Sequence, residues 1–120
     1  MTTEKPKIAL VGYGKMGKEI ERLALEKGFI LTDIFDIDKP LIPDRNYDFE
    51  VAIEFTTPTA VFENIKAIAK MKKNIVVGTT GWYDKLEAVK QIVEQEQIGL
   101  IFSPNFSIGI QILLKTIEQI

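Results

Sequence analysis

Apolar and polar positions along this chain follow two rhythms that take turns. Residues 7–11 form a short apolar run that stops at Gly12 and reads as a buried strand. Met16, Ile20, Leu23 and Ala24 then recur at helical spacing, and Gly28 follows as a stop signal. Residues 29–35 predict a second strand that ends at Asp36, and residues 37–48, with two prolines and several charges, predict an irregular connection. Residues 50–55 predict a third strand. Thr57 and Pro58 suit the N-cap and first position of a second helix. Its stripe is Val61, Ile65, Ile68 and Ala69, and Lys70, Lys72 and Lys73 fall in its last turn as a solvated, dipole-favourable end. Residues 74–77 predict a fourth strand closed by Gly78. Asp84 and Glu87 have capping-box spacing for a third helix that buries Leu86, Val89 and Val93. Residues 98–102 predict a fifth strand, followed by a Ser-Pro-Asn-Phe-Ser loop and a helical segment carrying Ile110, Leu113, Leu114 and Ile117.

Strands and helices alternate at βαβ spacing, and the strands are short and apolar on both faces. The expected fold is α/β, a Rossmann-like doubly wound parallel sheet with helices on both faces. Residues 1–120 are expected to be a single dinucleotide-binding domain. The last stripe stops at Ile120 in mid-pattern, which suggests a domain cut from a longer protein; a helix that packs on the sheet and frays would look the same.

Composition narrows the chemistry. The 120 residues are 46% hydrophobic and 27% charged, as expected for one ordinary globular domain. With 15 Lys+Arg against 17 Asp+Glu, the net charge is −2, and no basic excess supports nucleic-acid binding. There are no cysteines and no histidines. Thiolate chemistry, disulfides, His acid–base catalysis and Cys or His metal sites are therefore excluded within this chain. No apolar run approaches the 18 residues of a membrane span, and no signal peptide is visible, so a cytoplasmic location is expected.

Gly12-Tyr13-Gly14-Lys15-Met16-Gly17 is the strongest motif, because it follows a predicted strand and opens a predicted helix. Gly12 permits the tight turn, Gly14 lets the backbone approach a pyrophosphate, and Gly17 lets helix and strand pack closely. The helix N-terminus offers free N–H groups to the phosphates. Asp36, about 20 residues beyond Gly17, can accept the ribose hydroxyls of NAD and repel a 2′-phosphate. NAD(H) is favoured, and NADP(H) stays open because Lys39 can soften that repulsion. The loops at Phe55-Thr56-Thr57-Pro58, at Gly78-Thr79-Thr80-Gly81 and at Ser103-Pro104-Asn105-Phe106 each follow a strand and should meet over one crevice. Glu54, inside a strand, reads either as a buried paired carboxylate or as a functional one. Trp82 reads as a cover on the top of the sheet.

Four segments, residues 8–17 (IALVGYGKMG), 53–58 (IEFTTP), 77–82 (VGTTGW) and 103–109 (SPNFSIG), resemble in order and spacing the N-terminal half of the 4-hydroxy-tetrahydrodipicolinate (dihydrodipicolinate) reductase family. The resemblance covers nearly the whole chain. It implies NAD(P)H-dependent reduction in lysine and diaminopimelate synthesis, with hydride passing to a cyclic pyridine dicarboxylate. It implies that the glycine loop holds the pyrophosphate and Asp36 the adenosine ribose. Phe55, Thr56, Gly78, Thr79, Thr80, Asn105 and Phe106 would surround the nicotinamide, and Thr80 would also meet a substrate carboxylate. The family usually carries Asp where this chain has Glu54. Its catalytic His-rich motif and substrate Lys belong to a second half that also builds the oligomer, so no catalytic residue is expected here and the 120-residue chain alone is expected to be inactive. The alternative is a stand-alone NAD(H)-binding or regulatory module. Self-association as a homo-oligomer is expected if the final helix or a sheet edge is exposed.

Overall fold

A computed structural model describes residues 5–103. Its five strands are β1 (Lys7–Val11), β2 (Ile30–Phe35), β3 (Val51–Glu54), β4 (Asn74–Val77) and β5 (Leu100–Phe102). All neighbouring strands pair in parallel, in the order β2-β1-β3-β4-β5. The helices are α1 (Lys15–Glu26), α2 (Val61–Lys70) and α3 (Leu86–Glu96), the last entered through a 3-10 turn at Tyr83–Lys85. Each strand expected from the apolar runs is present. The irregular stretch after β2 is a connection without a helix, pinned at its start by mutual backbone hydrogen bonds between Asp36 and Lys39 at 3.0 Å.

The alternation of strand side chains sorts the core onto two faces. Ile8 and Leu10 of β1 join Val51, Ile53 and Val76 under Ile20, Leu23 and Ala24 of α1. Ala9 and Val11 join Ala52, Ile75 and Val77 under Val61, Ile65, Ile68 and Ala69 of α2 and Val89 of α3. Helices therefore lie on both faces of a Rossmann-like sheet, as expected. The α1 stop works as the sequence implies: Gly28 has φ +86°, and the N–H groups of Gly28 and Phe29 reach back to the carbonyls of Leu25 and Ala24.

Several local expectations are corrected. Thr57 does not cap α2 with its side chain. The carbonyl of Thr57 accepts from Ala60 and Val61, its hydroxyl turns to Thr59 at 3.1 Å, and α2 begins three residues after Pro58, with Ala60 at the N-cap. Asp84 and Glu87 make no capping box, because the 3-10 turn occupies that place and Lys85 is the N-cap of α3. Of the α3 stripe only Val89 is buried, while Leu86 and Val93 are half-buried, since α3 covers the sheet near its edge. The strands are not apolar and covered on both faces throughout: β2 is an edge strand and Ile30 is 50% exposed. Lys72 and Lys73 lie beyond α2 rather than in its last turn. Lys72, at φ +63°, pairs with Glu96 at 2.7 Å, and Lys73 donates to the Tyr47 carbonyl at 3.0 Å. The expected final helix lies outside the described residues.

Candidate functional site

The chain leaves β1 for β2 on one side and returns to β3 on the other side of β1. At that reversal α1 and α2 diverge to opposite faces, and a crevice opens beyond the carboxyl ends of the strands. A cleft of about 1110 Å³ lies there, lined by residues 11–17, Phe35, Asp36, the connection after β2 at Ile37, Pro40, Leu41 and Pro43, the loop at Phe55, Thr56 and Thr57, and polar and apolar positions of α2 and α3. Nine of the residues singled out above therefore meet at one cleft: Gly12, Tyr13, Gly14, Lys15, Met16, Gly17, Asp36, Phe55 and Thr56.

The glycine loop is shaped by close approach. Gly12 has φ +109°, and a Cβ there would stand 2.0 Å from the carbonyl oxygen of Phe55. The Gly12 N–H donates to the Phe35 carbonyl, and the Phe55 N–H to the Val11 carbonyl, each at 2.8 Å, so the ends of β1, β2 and β3 are locked together. A Cβ at Gly17 would stand 2.5 Å from the Gly12 oxygen, which explains the tight seat of α1 on the turn. At Gly14 a Cβ would meet nothing within 4 Å. Gly14 lines the cleft and its Cβ position is open space, which suits close approach of a phosphate group. The first bond of the α1 ladder is from the Lys18 N–H to the Gly14 carbonyl, so the N–H groups of Lys15, Met16 and Gly17 precede the ladder at the cleft. Tyr13 is held aside by donating to Glu21 at 2.6 Å, a bond that raises the phenol's pKa above its ordinary value, and the Lys18 ammonium lies 5.5 Å from the centre of its ring. Asp36 is exposed at the rim, one residue past β2, and among the described residues nothing bonds its carboxylate. These features fit a dinucleotide: backbone donors and open space for two phosphates, and a free carboxylate beyond them for a ribose.

The other end is built from side chains. Glu54 is fully buried, in register between Val11 of β1 and Val77 of β4. Its carboxylate accepts from the hydroxyl of Thr56, from the hydroxyl of Thr79 at 2.5 Å and from the amide of Asn64 at 2.9 Å. The Thr79 oxygen in turn accepts from the Thr56 N–H at 2.8 Å, and the Thr79 carbonyl accepts from the Trp82 indole at 2.6 Å. Burial pushes the Glu54 carboxyl above its ordinary range, and the three donors partly offset that rise. Glu54 is thus buried and paired, as the first of its two readings expects. Trp82 is buried in the core cluster that packs on the sheet, with its ring against Phe102 of β5. Gly78 and Thr79 are buried behind the cleft wall, with the Gly78 N–H on the Glu54 carbonyl, and Thr80 is exposed away from the lining. The two loops do meet: Gly81, at φ +81°, lies against Pro58. Asn105 and Phe106 lie outside the described residues. Asn64 was missed by sequence reasoning, although a signal existed: it is a polar residue three positions after Val61, beside the apolar stripe of α2.

Fold and cleft together define the class as a Rossmann-like nucleotide-binding α/β domain. Residues 41–106, more than half of the chain, match the family described as dihydrodipicolinate reductase, N-terminus, and the chain belongs to that family. The chain is similar to 4-hydroxy-tetrahydrodipicolinate reductase of Christiangramia forsetii, 32% identical over 94% of this chain and 47% of the relative. It is similar to the enzyme of the same name from Buchnera aphidicola subsp. Acyrthosiphon pisum, 36% identical over 87% of this chain and 36% of the relative. Among solved structures it resembles dipicolinate-bound dihydrodipicolinate reductase from Paenisporosarcina sp. TG-14, with a TM-score of 0.69 and 25% identity over 88% of this chain and 49% of that one. The chain thus spans less than half the length of these relatives. The family implies a pyridine nucleotide cofactor. No helix among the described residues is long and apolar enough to cross a membrane.

Proposed function

We propose that this chain is the NAD(P)H-binding part of a cytoplasmic 4-hydroxy-tetrahydrodipicolinate reductase of lysine and diaminopimelate synthesis. The observation that carries the reading is the cleft at residues 12–17, where two glycines are enforced by contacts to the neighbouring backbone and the third faces open space. When bound, the nicotinamide supplies a hydride to a cyclic, unsaturated pyridine dicarboxylate. The chain's own part is to bind and orient. The N–H groups at the start of α1 take the pyrophosphate, and the Asp36 carboxylate takes the adenosine ribose. On this reading the nicotinamide half lies over the ends of β3 and β4, near Phe55 and Thr56 at the cleft and Gly78 and Thr79 behind it, and Asn105 and Phe106 are proposed as further cofactor contacts. Thr80 offers a hydroxyl to a substrate carboxylate. That one relative was solved with dipicolinate bound supports the substrate class.

NAD(H) is favoured because a 2′-phosphate would face the unpartnered Asp36 carboxylate. The Asp36–Lys39 turn brings one cation into the same loop, which leaves NADP(H) as the weaker ligand. Titration with NADH and NADPH by calorimetry tests this reading. Saturable NADH binding, tighter than NADPH and weakened about tenfold or more by Asp36→Ala, is expected. Equal affinity for the two in both proteins would remove Asp36 from the role.

A further inference from the structure

Glu54 is a costly residue for its position. It stands next after Ala52 on the α2 side of β3, between two valines, where an apolar side chain would need no partners. What the carboxylate does there is gather donors from three segments: Thr56 from the loop after β3, Asn64 from the first turns of α2, and Thr79 from the loop after β4. Two of those donors, Thr56 and Asn64, line the cleft, whereas Glu54 has no exposed surface and cannot touch a ligand. Thr56 is held twice, by its hydroxyl on Glu54 and by its N–H on the oxygen of Thr79, which itself donates to Glu54.

We propose that Glu54 is a positioning residue that, with Thr79, fixes the loops over β3 and β4 in the orientation that receives the nicotinamide half of the cofactor. The inference rests on the dinucleotide reading above. On that reading, with Asp36 beyond β2 and the glycine loop beyond β1 in the order β2-β1-β3-β4, the adenosine and pyrophosphate would occupy one side and only the nicotinamide half would reach over β3. Loss of the Glu54 clamp should therefore be felt by one half of the ligand and not by the other.

The test uses the 120-residue chain, calorimetric titration, and two probes, NADH and ADP-ribose, which lacks the nicotinamide. Glu54→Gln keeps the size of the side chain but cannot accept three donors. Thr79→Val removes the linking hydroxyl, and Thr79→Ser keeps it; Thr79→Val carries the test if Glu54→Gln does not fold. Both disruptive variants should lower NADH affinity about tenfold and leave ADP-ribose affinity within about twofold of wild type, with Thr79→Ser close to wild type for both probes. Equal weakening of both probes, or no weakening of either, would overturn the inference and show Glu54 to be structural only. If the wild-type chain binds neither probe, the dinucleotide reading itself fails and the inference falls with it.

Discussion

The two ends of the cleft are made from different materials. Over β1 the chain uses backbone: Gly12 and Gly17 are in contact with carbonyls that leave no room for a Cβ, and the groups offered to the cleft are main-chain N–H donors. Over β3 and β4 it uses side chains: one buried carboxylate, two threonines and an asparagine, joined in a closed hydrogen-bonded set. A backbone site is fixed by steric exclusion and tolerates almost no added atoms. A side-chain site is fixed by polar satisfaction and responds to loss of a single donor. Under the proposed function, the first would hold the ligand part common to all dinucleotides and the second the part that reacts.

The sharpest way to break the contrast is at Gly12. Gly12→Ala combines a positive φ with an overlap on the Phe55 oxygen and should cost about 3–4 kcal/mol in urea unfolding. A cost below about 1 kcal/mol would mean that the turn is not sterically fixed. Gly17→Ala, facing the Gly12 oxygen, should cost less, about 2 kcal/mol, because α1 can move back slightly. At the other end, Thr79→Val leaves the Thr56 N–H without its acceptor and Glu54 short of a donor. It should destabilise by about 1–2 kcal/mol in thermal unfolding, with Thr79→Ser recovering most of that loss.

The smallest effect is in pH dependence. Burial raises the Glu54 carboxyl above its ordinary value of 4.5 in the folded state. A raised folded pKa favours the protonated form on folding, so this stabilisation is complete below the unfolded value. It is lost as pH rises through the folded one. Wild type should therefore lose stability relative to Glu54→Gln as pH rises above 4.5, as followed by urea midpoints across a pH series. A parallel pair of curves would place the carboxyl at its ordinary value.

The same division explains what the sequence made legible. The glycine motif and the strand runs are local patterns, so Gly12, Gly14, Gly17 and all five strands could be read directly. The stripes Val61, Ile65, Ile68 and Ala69 were equally plain, because a 3.6-residue period against a sheet leaves little choice. The side-chain end depends on contacts between residues 2 to 25 apart in sequence, and only folding shows that Glu54, Asn64 and Thr79 converge. Capping was misread at Thr57 and Asp84 for a related reason. Both have suitable chemistry, but Thr57 spends its hydroxyl on Thr59, and a 3-10 turn displaces the start of α3. The edge position of β2 was also hidden, because a run of apolar residues does not reveal where a strand sits in the sheet order.

Gly14 offers the most direct test of the central claim that the backbone loop over β1 holds the phosphates of a dinucleotide. Its Cβ would meet no protein atom, so Gly14→Ala should leave the thermal midpoint nearly unchanged. Calorimetric titration with NADH should give saturable binding to wild type and a loss of at least about tenfold in this variant, since the added methyl would stand where the pyrophosphate must approach. Unaltered NADH affinity in a stably folded Gly14→Ala chain would contradict the account.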